Sequence, residues 1–184
     1  KTINDIIIEI DTHFPYKVIA VPHAEGDDVI AILAKNIQEK SIIISSDKDF
    51  SQLHKYKHIK QYSPIQKKML TTSNPYKYLQ EHIIRGDKGD GVPNILSADD
   101  CIVKGERQKP ITKKKLAVWM EQSDMANGLS VNWKRNQQLI DFEYIPENIS
   151  KGIMDSYAKK KDDNKQGQLL NYFITNRLKY LMEN

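Results

Sequence analysis

The sequence predicts an α/β protein: a small, mainly parallel sheet with helices over residues 1–73, then an all-helical part over 74–184. Two apolar runs, Lys17 to Val21 and Ser41 to Ser45, flank an amphipathic stretch at 26–39. Strand, helix and strand in that order make a right-handed parallel unit. Weaker strand patterns near 58–62 and 67–71 read as a hairpin, and after Asn74-Pro75 the pattern turns helical. A chain of 184 residues, 39 % hydrophobic and 28 % charged, is long enough to bury a core and is globular in composition.

Ile3, Ile6, Ile7, Ile10 and Phe14 recur at helical intervals and leave Asp5, Glu9 and Asp11 on the other face. A helix over 3–14 is expected, stopped at Pro15. Lys17 to Val21 is then a short buried strand ended by Pro22. The helix at 26–39 turns Ile30, Leu33, Ala34 and Ile37 inward. Ile42, Ile43 and Ile44 form a continuous apolar run, the mark of a strand buried on both faces. A short helix is expected at Phe50 to Leu53. Tyr76 to Ile84 is helical, as is the stretch after Pro93, and further helices are expected at 112–122, 130–141, 147–160 and 167–182. Lys159 to Lys165 reads as an exposed linker.

Composition excludes several classes. One cysteine, Cys101, rules out a disulfide framework and a cysteine-based zinc cluster; it is expected as a small buried hydrophobe or an inert surface thiol. No apolar run is long enough to span a bilayer. No signal peptide is visible and the first residue is Lys1, so an intracellular protein with chain upstream of Lys1 is expected. Residues 1–100 hold 14 acids and 13 basic residues, residues 101–184 hold 10 and 15. Lys104, Arg107, Lys109, Lys113, Lys114 and Lys115 crowd into one short segment. A basic half beside clustered carboxylates suggests a polyanion partner and a metal to reconcile the two signs. A solvated lysine-rich surface is the plain alternative.

Three acidic motifs punctuate the chain: His23-Ala24-Glu25-Gly26-Asp27-Asp28, Ser46-Asp47-Lys48-Asp49-Phe50 and Gly86-Asp87-Lys88-Gly89-Asp90-Gly91. The first two follow expected parallel strands, and ligands of open parallel sheets bind beyond the strand C-termini. Glu25, Asp27, Asp28, Asp47 and Asp49 are therefore expected to converge. Crowded carboxylates raise one another's pKa, and hard divalent cations relieve that cost. Without cysteine nearby, magnesium or manganese fits better than zinc, and several carboxylates suffice for two ions ~4 Å apart. Taken singly, Asp27 or Asp28 also reads as a helix cap, Asp47 and Asp49 as loop acids, and Gly86 to Gly91 as an ordinary turn. In the third motif, Gly86, Gly89 and Gly91 would let backbone approach a phosphate, with the next helix aimed at it and Lys88 adding charge. Asp87 and Asp90 would project toward the metals.

Glu25-Gly26-Asp27-Asp28, Ser45-Ser46-Asp47-Lys48-Asp49-Phe50-Ser51-Gln52-Leu53-His54-Lys55-Tyr56 and Gly86-Asp87-Lys88-Gly89-Asp90 resemble the 5′-nuclease or flap endonuclease superfamily, most closely its T-even-type bacteriophage RNase H branch. Similarity continues through Val103-Lys104-Gly105-Glu106-Arg107 and Leu139 to Pro146. Gly26 stands where the family usually has alanine.

The resemblance implies a PIN-like nuclease domain over 1–73, lacking its N-terminal strand, and a helical DNA-binding domain with a helix-three-turn-helix over 74–184. It implies Glu25, Asp27, Asp28 (through water), Asp47 and Asp49 around two magnesium or manganese ions, with Asp87 and Asp90 completing the second site. Glu25, Asp27, Asp47 and Asp49 would be the catalytic carboxylates. Gly86, Lys88, Gly89, Gly91, Lys104 and Arg107 would contact DNA. Substrates would be duplex or flap DNA and RNA–DNA hybrids, cleaved during primer removal in the host cytoplasm. A phage single-stranded DNA binding protein and a sliding clamp would be partners, with no membrane involved. Full-length members carry two further aspartates and a basic arch ahead of the part matched here. The chain alone is therefore expected to cleave slowly or not at all, and a non-catalytic duplex-binding fragment or subunit that needs its N-terminal half is the competing reading. A phosphorylation-dependent receiver domain conflicts with the helical second half. An EF-hand calcium loop fails on spacing.

Overall fold

The computed structural model describes residues 2–121, 130–159 and 166–182. The fold is mixed α/β, with one small three-stranded sheet and helices on either side of it in sequence. Two compact units form: residues 25–150, and residues 1–24 together with 151–184. The sheet and the helix after Pro75 share the larger unit.

In the smaller unit, helix α1 (Ile3–His13) begins at a capping box: Thr2 Oγ1 accepts the Asp5 N–H, and Asp5 accepts the Thr2 N–H at 2.9 Å. Phe14 closes it, just ahead of Pro15. The isoleucine stripe is less buried than its periodicity predicts, with Ile3 76 % and Ile6 45 % exposed. Phe14 meets Tyr172 and Phe173 edge-on, and His13 stacks on Tyr172 with ring centres 4.6 Å apart. Lys17 to Val21 is not a strand, which corrects the expectation. An apolar run becomes a strand only when its backbone finds a hydrogen-bonded neighbour. The sheet's ladders run through other residues.

In the larger unit, α2 (Gly26–Asn36) packs Ala31 and Ala34 against Ile43, Phe50, Leu53 and Ile59. It ends short of the expected residue 39. Strand β1 (Ser41–Ile44) is followed by a 3₁₀ helix (Asp49–Lys55), strand β2 (Ile59–Ser63) and strand β3 (Lys68–Leu70). β1 and β2 are parallel, with Ser41 opposite Ile59 and Ile44 opposite Tyr62. β2 and β3 are the expected hairpin. The parallel crossover therefore runs through the 3₁₀ helix, not through α2. β1 is buried on one face only: Ile43 is buried, while Ile42 and Ile44 are exposed.

Helix α3 (Pro75–Arg85) starts at Asn74, whose Oδ1 accepts the Lys77 N–H, with Pro75 in the first turn. It packs on the 3₁₀ helix, on α4 (Lys113–Glu121) and on α5 (Ser130–Ile140). The helix expected after Pro93 does not form; residues 92–112 run in turns and irregular backbone. Side chains compete for that backbone. Asn94 Oδ1 accepts the Leu96 N–H and the Ser97 hydroxyl, and its amide donates to Lys109 O. Asn132 donates to Ile95 O and Ser97 O, and Arg135 to Pro93 O. The helix-three-turn-helix thus lacks its second helix among the described residues. Cys101 is buried in this segment.

Helix α6 (Glu147–Ala158) matches expectation, but the single helix expected over 167–182 is two, α7 (Gln166–Thr175) and α8 (Lys179–Met182). Arg177, at φ +56°, breaks it. The linker expected at 159–165 lies outside the described residues apart from Lys159. No described helix is long and apolar enough to cross a membrane.

Candidate metal centre

Asp47 and Asp49 leave the C-terminal end of β1 in a tight turn. Asp47 Oδ1 accepts the Asp49 N–H at 3.0 Å, and the 3₁₀ helix starts at Asp49. Phe50, Leu53 and buried Gln52 anchor that helix. Gln52 Nε2 donates to Ile140 O at 2.8 Å.

The third motif is built at the end of α3. Gly86, at φ +67°, makes the turn, and a Cβ there would stand 2.4 Å from Val92 O. Glycine is demanded by the loop's approach to itself. Asp87 Oδ1 accepts the Gly89 N–H at 2.7 Å and the Asp90 N–H at 3.3 Å. Buried Asn136 of α5 ties the assembly down, donating to Ile83 O at 2.8 Å and Pro93 O at 2.9 Å.

The second and third motifs meet at a residue that the acidic motifs do not contain and the sequence did not single out. His82, on the last turn of α3, has Nε2 3.0 Å from Asp87 Oδ2 and Nδ1 3.4 Å from Asp49 Oδ1. One ligand atom from each of Asp49, His82 and Asp87 lies within 4.8 Å of the others. His82 Nδ1 is buried without a hydrogen bond, which leaves it available to a cation. The signal was faint: Tyr78 and His82 sit four residues apart on one helical face, and their rings are 5.9 Å apart.

Burial pushes the Asp49 carboxyl up to about 6. His82 opposes that rise, while Asp47, Asp87 and Asp90 add to it. Burial also raises Asp27; its own and the Asp28 N–H oppose this, and the Asp28 and Asp47 carboxylates add to it. Burial, with Asp49, Asp47 and Asp87, pushes the Tyr78 phenol up to about 12. For Asp87, burial is outweighed by the Gly89 N–H, His82 and the Asp90 N–H, so its carboxyl stays low. The field thus links Asp27, Asp47, Asp49, Asp87 and Asp90.

The remaining candidates are placed differently. Asp28 Oδ2 accepts the Glu25 N–H at 3.0 Å, a cap on the first turn of α2. The exposed Glu25 side chain makes no described contact with the Asp49–His82–Asp87 group. Lys88, Gly89 and Gly91 are exposed on the loop. Lys104 pairs with Asp100 at 2.6 Å, and Arg107 is exposed nearby in sequence. The donor set, two carboxylates and one imidazole, fits a divalent cation.

Residues 73–184 match the family described as T4 RNase H, C terminal, and residues 2–83 match the 5'-3' exonuclease, N-terminal resolvase-like domain. The chain is also similar to the Ribonuclease H of Enterobacteria phage T4, at 33 % identity over 184 aligned positions. That alignment takes in 93 % of this chain and 60 % of the relative, so the chain spans well under two thirds of the protein it matches. Between them the two matched ranges cover the acidic motifs and the loop that bring Asp49 and Asp87 to His82: the chain belongs to the T4 RNase H family.

Proposed function

We propose that the chain is the larger part of a divalent-metal-dependent 5′-to-3′ exonuclease or flap endonuclease of RNase H type. It hydrolyses phosphodiester bonds in RNA–DNA and DNA duplexes during primer removal. The observation that carries this reading is the approach of Asp49 and Asp87 to opposite nitrogens of His82. Family membership supplies the reaction class.

Asp47, Asp49 and Asp87, with Asp27, Asp90, Glu25 and His82 around them, would hold the cations, and Asp28 would act through water. When bound, two such ions activate water and offset charge on the leaving oxygen. The chain's own groups do the rest. The Asp49 carboxyl, raised to about 6, is mostly ionised at neutral pH yet costly to leave unpaired. Tyr78 stays a neutral phenol beside the carboxylates. Lys88, Lys104, Arg107 and the glycines of the third motif would grip phosphates of the duplex with little base specificity. A phage single-stranded DNA binding protein and a sliding clamp belong to the same reading, as does action in the host cytoplasm.

The test is cleavage of 5′-labelled RNA–DNA hybrid and 5′-flap duplex in manganese or magnesium, by the chain alone and with the N-terminal part of the T4 relative added in trans. Slow or no cleavage alone and metal-dependent cleavage with the added part is the expected result. Absence of cleavage in both arms overturns the nuclease reading. One observation favours a second reading, a duplex-binding subunit that needs a partner segment. Among the described residues β1 is paired only through β2, and Ile42 and Ile44 lie exposed on its outer face. That reading predicts salt-sensitive duplex binding without cleavage in either arm.

A further inference from the structure

Gln61 on β2 is fully buried, yet it is a polar side chain in the middle of a strand. Its Nε2 donates to Asp47 O at 2.6 Å and to Ser45 O at 2.9 Å. These two carbonyls bracket the turn that carries Asp47 out of the sheet. The β1–β2 ladder ends just before it, with the Ser45 N–H on Tyr62 O. Beyond that point the path of the chain depends on side chains.

Both contacts on Nε2 are carbonyl acceptors, so that atom must be the amide nitrogen, and Oε1 faces His54 Nε2 at 3.0 Å. His54 must then donate from Nε2. Its Nδ1 carries no proton and is buried without a partner. A protonated ring would bury an unsatisfied N–H there. Burial accordingly holds the His54 pKa below its ordinary value, against the pull of Gln61. The carboxamide is therefore fixed at both ends: a neutral imidazole on its oxygen and two turn carbonyls on its nitrogen.

We propose that Gln61, locked by His54, is a positioning residue for the metal centre: it holds the Ser45–Asp47 carbonyls and so aims the carboxylates of Asp47 and Asp49. The inference rests on the metal-dependent reading above for its consequence, but its geometry stands without it. Asp47 passes the constraint on, because its Oδ1 accepts the Asp49 N–H. Asp49 in turn reaches His82.

The test compares the full chain with Gln61→Met, which keeps side-chain length and removes both hydrogen-bonding ends, and with Ile59→Val, which disturbs the same buried strand face without touching the turn. Amide hydrogen exchange is read at Lys48 and Asp49 without metal, and Mn2+ affinity by electron paramagnetic resonance. Gln61→Met should speed exchange at the turn about tenfold and weaken Mn2+ binding about tenfold, the usual scale for a residue that orients a metal ligand. Ile59→Val should change neither by more than about twofold, although it lowers thermal stability. His54→Phe, which spares the amide but frees its oxygen, should move both readouts in the same direction and serves if Gln61→Met does not fold. Wild-type exchange at Lys48 and Asp49 in both Gln61→Met and His54→Phe overturns the positioning role. If the unsubstituted chain binds no Mn2+, the metal reading falls instead, and exchange alone decides whether Gln61 fixes the turn.

Discussion

Replacing Asp49 by asparagine should stabilise the metal-free chain, the opposite of what removing a polar contact usually does. The Asp49 carboxyl titrates at about 6 in the folded protein, against an ordinary value of 3.8. The folded state therefore binds its proton more tightly than the unfolded state. Stability is highest below the unfolded pKa and declines as pH rises from about 4 to about 6, where the folded carboxyl loses its proton. At ~1.4 kcal/mol for each pH unit, a rise from 3.8 to about 6 corresponds to about 3 kcal/mol of strain at neutral pH. Solvent screening of a partly exposed carboxyl trims this to about 2 kcal/mol. Asp49→Asn removes that strain, and for a protein of this size the gain should raise Tm by about 4–8 °C. The assay is thermal unfolding in EDTA at about pH 7.5 and about pH 4, then at about pH 7.5 with manganese. The gain should vanish at the acidic pH. Manganese should invert the order, because ligand binding stabilises only a chain that can hold the ion. A Tm for Asp49→Asn at or below wild type in EDTA at about pH 7.5 would refute the reasoning.

Gly86→Ala should cost on the order of 2–4 kcal/mol in urea unfolding, since it combines a positive φ with a Cβ driven into the Val92 and Pro93 backbone; a loss under about 1 kcal/mol would mean that the loop does not close so tightly on itself. Asn136→Ala should cost about 1–3 kcal/mol in the same assay, because it strands the Ile83 carbonyl in the interior and leaves the Pro93 carbonyl to Arg135 alone. Hydrogen bonds from Lys35 and Lys55 hold the Glu143 carboxyl down at about 2. Its contribution is present above the usual carboxylate range and lost as pH falls from about 4.5 toward 2, so Glu143→Gln should flatten the acid limb of a stability–pH curve. Lys104→Ala and Arg107→Ala should each make the salt dependence of duplex binding shallower by about 0.9 in the log–log slope, measured by fluorescence anisotropy.

Local chemistry made much of the fold legible. The apolar periods, Pro15 and Asn74-Pro75 mark α1, α2 and α3 to within a few residues. Lys17 to Val21 misled because apolar composition does not supply a strand with a hydrogen-bonded neighbour. The stretch after Pro93 misled because Asn94, Ser97 and the α5 side chains take its backbone groups before a helix can. At the site, the acids were visible because a fold gains nothing from crowding them at chain turns. His82 was not, because its partners arrive from separate segments: Asp49 from the end of the sheet and Asp87 from beyond the helix. Gln61 was hidden for the same reason, as its acceptors lie in the turn that follows the neighbouring strand.

Asn132, Arg135 and Asn136 share one face of α5 and between them hold the backbone of Pro93, Asn94, Ile95 and Ser97. The route of that irregular segment is templated by a helix elsewhere in the chain. Its exposed residues outside the proposed phosphate contacts Lys104 and Arg107 are consequently free to drift or be redesigned, and a loop grafted between those contacts should follow the same track as long as those three side chains stay in place.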